Sequence, residues 1–575
     1  MFILFFHILM EMILIKYLEV KMRTLMKFIL IGVMSVTFIN CSDSNNSKES
    51  NELKKKIDQY AKTVIQYDEN LLDTRQKVVV NKLVQAARII DDIFLDQVYS
   101  KNSAIKKSLS NSNDSYDKLV LEYFNINFGP FDRLDHDKPF YGENEKPDGA
   151  NFYPEDMTKE EFENFIKANP DKETDFTSEF TMIRRGNGEL KAIPYTEYYK
   201  DQLTEITKLM NEAAEYADNP SLKKYLVTRA LAFQTNDYYE SDMAWMDLKD
   251  HTIEVIIGPY EVYEDGMFNY KASYECFLTL VDPEGTEKLK TFANYLDELE
   301  NNLPIPDGHK NFERGSDSPI VVAQEVYSSG DTKAGVQTLA FNLPNDERVR
   351  KAKGSKKVMI KNMHEAKFEQ LLKPISEIVL DPSQTEFITF DAFFNHTLMH
   401  EMSHGLGPGF IKVNGKSTEV KKELKETYST IEECKADILG MFNNKFMIGK
   451  GVYPESFDKE MWITFLAGIF RSVRFGINEA HGGGNAIIYN YMLENGAYEF
   501  NKETGKVKVN LDKSYPVLKN LANKVLMIQA TGDYDGAIEL KKKYAVSSES
   551  MKILVEKLKV LPVDINPQFQ IEESM

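Results

Sequence analysis

Residues 400–404 have the composition and spacing of a metal-binding motif. They read H-E-M-S-H and lie in an apolar, helix-like run over residues 390–406. Because residues four apart lie on one face of a helix, His400 and His404 can direct two imidazole nitrogens at one tetrahedral zinc ion. Glu401, between them, is placed to take a proton from a water at that ion. The stretch predicts metal-assisted hydrolysis, most often of a peptide bond, although histidines that only cap or pack a helix share this spacing.

A second helix-like stretch, residues 429–440, offers the third protein ligand that a catalytic zinc needs. Thr430 and Glu433 have the spacing of a capping box, which is typical of a helix N-terminus. We expect Glu433 to bind the metal and Asp437, one turn later, to accept the outer N–H of a ligand histidine. The alternative is a solvated acidic face formed by these carboxylates and Glu432.

His396 is a rival third ligand because it lies four residues before His400. A straight helix spreads His396, His400 and His404 over about 12 Å, whereas Zn–N distances are near 2 Å. We therefore expect His396 to pack or to support a ligand rather than to bind the metal.

Together, the two stretches resemble the dipeptidyl peptidase III family of zinc metallopeptidases. That family pairs a histidine-glutamate zinc motif with E-E-C-[RK]-A-[DE], which here reads E-E-C-K-A-D over residues 432–437. Most members carry H-E-x-x-G-H, whereas the five-residue form here, followed by G-L-G-P, resembles the branch of bacterial proteins and of plant proteins joined to a Nudix domain. No Nudix box is visible in this chain. The resemblance runs from about Lys200 to the C-terminus.

The resemblance assigns roles to residues around the zinc site. It implies one Zn²⁺ per chain, held by His400, His404 and Glu433, with Glu401 as the general base. Glu432 and Asp437 would orient the histidines. The implied substrates are short peptides that lose N-terminal dipeptides.

Three further segments resemble substrate-binding parts of the family. In the E-x-Y segment, Glu261 would bind the free substrate amine and Tyr263 would stabilise the tetrahedral intermediate. Asn342 and Asn345, in the N-x-x-N segment, would hold the N-terminal part of the substrate, and His481 would contact the substrate and the developing oxyanion. From the residues alone, these five are equally typical of a solvated charge, a strand-end aromatic, turn formers and a helix-capping histidine.

One position departs from the family pattern and keeps two alternatives open. Four residues after His481 an arginine is usual, but this chain has Asn485 after a run of three glycines. A zinc endopeptidase, or another hydrolase with the same core, is the first alternative. A catalytically weak, peptide-binding lipoprotein is the second.

Composition excludes several classes of partner. The chain of 575 residues has a net charge of −19, which argues against nucleic-acid binding and against docking on anionic lipid. Its length suits two or three domains, and its three cysteines cannot form a disulfide framework. We expect a monomer.

The N-terminus predicts export. Arg23 and Lys27 precede an apolar run over residues 28–39, which is too short to span a membrane as a stable helix and suits a signal peptide. Cys41 and the polar residues after it resemble a bacterial lipoprotein signal, with Cys41 lipidated after cleavage. This places the protein in the cell envelope, facing the periplasm or the surface. A single N-terminal membrane anchor is the alternative.

The remaining pattern predicts an α+β protein, mainly α. The resemblance implies two lobes across a wide cleft, a helical zinc lobe and a mixed lobe with a small β-sheet or barrel. Strand-like runs occupy residues 252–258, 273–281, 319–327 and 336–341, and from 361 onward the pattern is almost entirely helical. The expected divisions are 1–41 leader, 42–66 tether, 67–280 mixed lobe (first part), 281–320 linking segment of the helical lobe, 321–375 mixed lobe (second part) and 376–575 helical zinc lobe with the C-terminal segment.

Overall fold

The structure is a computed structural model that describes residues 48–186, 188–312 and 319–574. The predicted leader and Cys41 lie outside the described residues. By their contacts, residues 48–58 and 105–125 belong to one compact unit, and residues 59–104 with 126–574 form the other. In the part of the chain that the structure describes, no helix is long and apolar enough to cross a membrane.

Helices dominate the fold, which is 58% helical and confirms the predicted class of a mainly α, two-lobed α+β protein. The helices are α1 (residues 48–57), α2 (Thr74–Val98), α3 (Asn102–Ser110), α4 (Ser115–Asn127), α5 (Lys159–Ala168), α6 (Glu173–Thr177), α7 (Tyr195–Tyr198), α8 (Lys200–Tyr216), α9 (Pro220–Thr235), α10 (Tyr239–Met246), α11 (Pro283–Ala293), α12 (Leu296–Asn302), α13 (Glu347–Lys353), α14 (Lys361–Lys367), α15 (Lys373–Val379), α16 (Phe390–Ser403), α17 (Val420–Leu424), α18 (Tyr428–Gly449), α19 (Ser456–Ser472), α20 (Ala480–Glu494), α21 (Leu511–Thr531), α22 (Tyr534–Tyr544) and α23 (Glu549–Lys557).

The three longest strands, of 9, 9 and 11 residues, lie in one sheet. The strands are β1 (Tyr60–Ile65), β2 (Phe131–Asp132), β3 (Lys138–Pro139), β4 (Thr181–Gly186), β5 (Glu189–Pro194), β6 (Ile253–Glu261), β7 (Ser273–Val281), β8 (Ile320–Gly330), β9 (Ala340–Leu343), β10 (Lys356–Ile360), β11 (Phe410–Val413), β12 (Lys416–Glu419), β13 (Tyr498–Asn501), β14 (Lys506–Val509) and β15 (Asp564–Phe569). The segment predicted as a tether, residues 42–66, contains the helix α1 and the strand β1.

The main sheet has five strands in the order β6-β7-β8-β10-β9. Only the β8–β10 pair is parallel; the other neighbours are antiparallel. The sheet curls strongly. Two strands separate β7 from the edge strand β9, yet the Phe277 ring of β7 stacks on Phe341 of β9 with centroids 4.1 Å apart. The same curl brings Asn345, just after β9, to the end of β6, where its Nδ2 donates to Tyr260 O at 3.1 Å.

Two hydrophobic cores correspond to the two lobes. The core of the mixed lobe forms between the sheet and α2, α8, α9 and α10, with Trp245 and Tyr274 fully buried. The core of the helical lobe forms mainly among α15, α16 and α18 to α21, with Trp462 at its centre. The C-terminal strand β15 pairs in parallel with β1 and places Phe569 in the mixed-lobe core. Residues 564–571 thus contribute to the core of the mixed lobe.

Two sequence predictions of secondary structure are wrong in part. The strand predicted at 336–341 begins only at residue 340, as β9. The region after residue 361 contains two β-hairpins, β11–β12 and β13–β14, and the strand β15. The strand β10 was not predicted, because its apolar run is only three residues long and leads directly into α14. The strands predicted at 252–258, 273–281 and 319–327 are confirmed as β6, β7 and β8.

Candidate metal centre

The helix α16 carries the H-E-x-x-H stretch and begins at a defined cap. Thr389 Oγ1 accepts a hydrogen bond from the backbone N–H of the third residue of the helix at 3.3 Å. The helix ends at Ser403, with His404 as its C-cap, because residues 405–409 contain three glycines and a proline. His404 stands at the C-cap but keeps helical angles of φ −60° and ψ −34°, so the i,i+4 relation to His400 is preserved.

The helix α18 crosses α16 closely enough to place the E-E-C-K-A-D motif of α18 against the H-E-x-x-H motif of α16. A Cβ at Gly440 would lie 3.3 Å from the backbone N of His400, so only glycine fits this crossing without a shift. The helix begins at Tyr428, so the capping box predicted from Thr430 and Glu433 is wrong. Thr430 lies inside the helix and is buried, because packing of the first turn extends the helix beyond its local cap signal.

The three predicted ligands converge on one point. One ligand atom from each of His400, His404 and Glu433 lies within 4.8 Å of the other two. Glu433 Oε2 is 3.4 Å from His400 Nε2 and 3.9 Å from His404 Nε2. Two atoms that bind one zinc ion at tetrahedral angles stand about 3.4 Å apart. These side chains can therefore hold the ion with small adjustments.

The outer nitrogens of both histidines are held by buried carboxylates. His400 Nδ1–H donates to Asp437 Oδ1 and His404 Nδ1–H donates to Glu432 Oε1, each at 2.8 Å. These bonds fix the tautomer in which Nε2 of each ring carries a lone pair toward Glu433. The roles predicted for Asp437 and Glu432 are consistent with this geometry.

Further polar groups hold these carboxylates in turn. Lys435 Nζ lies 2.8 Å from Glu432 Oε1, and Gln529 Nε2 donates to Glu432 Oε2 at 2.8 Å. Asn485 Nδ2 donates to Asp437 Oδ2 at 2.8 Å. Asn485, at the position of the family arginine, is thus buried in support of the metal centre. Sequence reasoning did not find these contacts, since nothing in the local sequence of Gln529 or Asn485 indicates them.

Without an ion, protons balance the charges of this cluster. Burial alone would lower the pKa of His400, but Asp437 and Glu433 raise it to about 10. Burial would raise the pKa of Glu433, but the close imidazoles of His400 and His481 hold it well below its usual range. Burial likewise opposes ionisation of Glu432, and Lys435 and His404 lower its pKa to about 2. The carboxylates are therefore ionised at neutral pH and attract a cation.

Comparisons with known proteins agree with this site. The sequence profile of peptidase family M49 matches residues 157–423. A structure of DPP III from Caldithrix abyssi is 66% identical, covers 91% of this chain and 99% of that chain, and superposes with a TM-score of 0.90. The chain belongs to peptidase family M49, the dipeptidyl-peptidase III family. It is therefore a metallopeptidase.

Two other relatives extend the comparison. The structure of dipeptidyl-peptidase III from Corallococcus sp. strain EGB is 43% identical, covers 91% of this chain and 98% of that chain, and has a TM-score of 0.77. The curated protein Nudix hydrolase 3 of Arabidopsis thaliana is 37% identical over 586 residues, which cover 92% of this chain and 75% of that protein.

In this M49 peptidase, Glu401 faces a lysine from the mixed lobe. Lys357 Nζ donates to Glu401 Oε2 at 2.9 Å and to Glu401 O at 2.9 Å. Burial would raise the pKa of Glu401, but Lys357 and the two histidines of the motif lower it. The carboxylate is thus held ionised, as a base must be. Lys357 was not predicted from the sequence.

His481 reaches the metal centre because a glycine run lets its helix approach α18. Its Nδ1 lies 3.0 Å from Glu433 Oε2, and its side chain is 63% exposed, so it can also face a ligand in the cleft. The three glycines after it are helical, in the first turns of α20, rather than a flexible loop. A Cβ at Gly484 would lie 2.9 Å from the backbone N of Cys434. The glycines therefore set the distance between His481 and Glu433.

The four predicted substrate residues of the mixed lobe, unlike His481, form no hydrogen bond with the three predicted metal ligands in the described part of the chain. Glu261 and Asn345 are close together, with Asn345 Nδ2 3.5 Å from Glu261 Oε1. Asn342 lies in β9, paired with Lys357 of β10. Tyr263 is 80% exposed and lines a separate cavity of about 360 Å³ with His136.

The metal centre opens into a larger cavity of about 750 Å³. His400, Glu401 and His481 line one side of it, and residues 336–340 of the mixed lobe line another. None of the four predicted substrate residues of the mixed lobe lines this cavity, but His136 lines both cavities. The cavity is large enough for part of an extended peptide.

His396 does not join the ligands. Its Nε2 lies 3.2 Å from the main-chain O of Asp437, and its ring packs on Phe465 with centroids 4.6 Å apart. His396 of α16 therefore packs against α18 and α19, as the helix geometry predicts.

Proposed function

We propose that this M49 peptidase is a zinc-dependent dipeptidyl peptidase that removes dipeptides from the N-termini of short peptides. One observation carries the proposal. Among the described residues, Glu433 Oε2 is a buried carboxylate oxygen without a well-formed hydrogen bond, yet imidazole nitrogens of His400, His404 and His481 lie 3.0–3.9 Å away. A buried charge in this arrangement suits a cation better than a proton.

Two imidazoles and one carboxylate are a donor set that suits zinc and leaves one position open. We infer that His400, His404 and Glu433 hold one Zn²⁺ per chain. A zinc ion bound there would polarise the scissile carbonyl and would lower the pKa of the attacking water to about 7.

The protein's own residues carry the proton transfers in this proposal. Glu401, ionised beside the two histidines, accepts a proton from the attacking water and then donates it to the leaving amine. His481, at the cleft side of Glu433, donates a hydrogen bond to the developing oxyanion. Loss of such a donor typically costs about a hundredfold or more in rate.

Removal of dipeptides requires recognition of a free amine two residues before the scissile bond. Glu261 supplies a carboxylate for that amine, and the contact with Asn345 orients it. Burial raises the pKa of Glu261, since only Asn345 offsets the lost solvation, so a bound ammonium group would stabilise its charged form. We propose that closure of the lobes brings Glu261, Tyr263 and the asparagines to the peptide.

The two similar structures, both of dipeptidyl-peptidase III, support the dipeptidyl specificity. We propose further that the enzyme acts as a monomer. From the sequence of the leader we propose that it is exported and anchored in the cell envelope through a lipid on Cys41. A Cys41→Ala variant should then leave the membrane fraction, and unchanged partition would contradict this part.

The proposed chemistry is tested by Glu401→Gln, which keeps the size of the side chain and removes the base. Turnover should fall by at least about a hundredfold while zinc content stays at that of the wild type. Glu386→Gln, an exposed position outside the cavity, is the matched control. Undiminished turnover of the Glu401 variant would refute the assignment.

A further inference from the structure

The Glu401 carboxylate is held from the opposite lobe. Lys357 belongs to β10 of the five-stranded sheet, whereas Glu401 belongs to α16 of the helical lobe. The lysine makes two contacts of 2.9 Å, one to Oε2 and one to the main-chain O of the same residue. Its side chain is 16% exposed, and that of Glu401 is 22% exposed.

The strand geometry explains why Lys357 is available for this contact. Successive side chains of a strand point to opposite faces, so Lys356 and Lys357 diverge. Lys356 is buried in the mixed lobe, where its Nζ donates to Trp245 O at 2.9 Å and lies 3.2 Å from Glu254 Oε2. Lys356 is therefore part of the core of that lobe, and Lys357 is left to reach α16.

The two contacts fix the carboxylate in position. In the part of the chain that the structure describes, only Lys357 donates to this carboxylate, and it donates only to Oε2. Oε1 is thereby left free to accept a proton from a water in the cavity. Because the same ammonium group also binds the carbonyl of Glu401, the side chain is tied to its own backbone as well as to the sheet.

We propose that Lys357 is a positioning residue for the general base, acting through Glu401 and not on the substrate. This inference rests on the proposed role of Glu401. It makes the proton acceptor dependent on both lobes, since α16 supplies the carboxylate and β10 holds it. A displacement of a catalytic group by about 1 Å can cost about a hundredfold in rate.

The test compares Lys357→Met, Lys357→Arg and a control, Lys361→Met, in the zinc-loaded enzyme. Lys361 is 24% exposed and pairs with Asp282 at 3.3 Å, on the same segment but outside the cavity. We expect Lys357→Met to lower kcat by between about tenfold and a hundredfold, with KM within about twofold and zinc content unchanged. Lys357→Arg should recover most of kcat, and Lys361→Met should match the wild type.

A purely structural ion pair would give another pattern. If Lys357→Met keeps the kcat of the wild type, or if Lys357→Arg loses as much as Lys357→Met while both remain folded, the inference is overturned. Thermal unfolding of each variant separates misfolding from misplacement. The Glu401→Gln background adds a second readout, because Lys357→Met should cause no further loss where the base is already absent.

Failure of this inference differs from failure of the proposed function. If the wild type releases no dipeptides but cleaves internal bonds with zinc, the dipeptidyl proposal fails, and the effect of Lys357 is still read on that cleavage. If the wild type is a dipeptidyl peptidase and Lys357→Met is as active, only the positioning role fails.

Discussion

Asp437→Asn tests how far the carboxylates behind the histidines determine zinc affinity. Asp437 accepts the Nδ1–H of His400 at 2.8 Å and the amide of Asn485 at 2.8 Å, so each of its oxygens has one donor. An asparagine of the same shape retains only one acceptor oxygen. If the NH₂ group of the asparagine faces His400 instead, Nδ1 of the ring must accept that hydrogen bond. The ring proton then sits on Nε2, and a protonated Nε2 cannot bind a metal.

The expected size of the effect follows from this loss of orientation and charge. Removal of a carboxylate that supports a metal-binding histidine typically costs about 10- to 100-fold in affinity, which is about 1.4 to 2.7 kcal/mol. Glu432→Gln removes the equivalent support from His404, also at 2.8 Å, and should cost a similar amount. The double variant should approach the product of the two losses if the histidines respond independently.

The assay is competition for zinc against a chromophoric chelator, with far-UV circular dichroism as the check on folding. An exposed carboxylate of α16's lobe, Glu386, provides the control as Glu386→Gln, with zinc affinity equal to the wild type. The reasoning that these bonds orient the ligands would be refuted if both Asp437→Asn and Glu432→Gln are folded and bind zinc as tightly as the wild type.

Three further results are expected. Burial raises the pKa of Glu325 from 4.5 to about 8, so the folded state favours the neutral carboxyl and loses stability as pH rises from 4.5 to 8. In denaturant unfolding, Glu325→Gln should remove this loss, which is on the order of 5 kcal/mol at pH 9 and absent at pH 4. Gly484→Ala should lower kcat several-fold by pushing α20 away from Cys434, whereas Gly449→Ala, where an added Cβ meets no atom within 4 Å, should not. Because the pKa of His400 without an ion is raised to about 10, zinc binding at pH 8 should release at least about one proton, measured by calorimetry in buffers of different ionisation enthalpy.

The cluster of His400, His404 and Glu433 could be predicted because it depends on local periodicity. His400 and His404 share a helix face, and Glu433 and Asp437 lie one turn apart on the next long helix, so the residue types and spacing indicate their roles. The start of α18 could not be predicted in the same way. Its first turn is stabilised by packing, which overrides the capping signal at Thr430.

The remaining parts of the site depend on tertiary contacts that leave little local signal. Lys357 contacts Glu401 across 44 residues of sequence, from a strand with only three consecutive apolar residues. Residues 482–484 form a glycine run that is helical and permits close packing against α18, and nothing in the run itself indicates that contact. The positions of Glu261 and Asn345 relative to a bound peptide depend on how the two lobes are arranged. The periodicity of the sequence carries no information about that arrangement.

The most direct test of the central claim is product analysis of a short peptide by mass spectrometry. The peptide is supplied with a free or an acetylated N-terminus to zinc-loaded wild-type enzyme, with chelator-treated enzyme and Glu401→Gln as controls. Successive release of dipeptides from the free peptide only, lost with chelator and restored by zinc, is the predicted result. Equal cleavage of the acetylated peptide, or cleavage that persists without metal, would contradict the account.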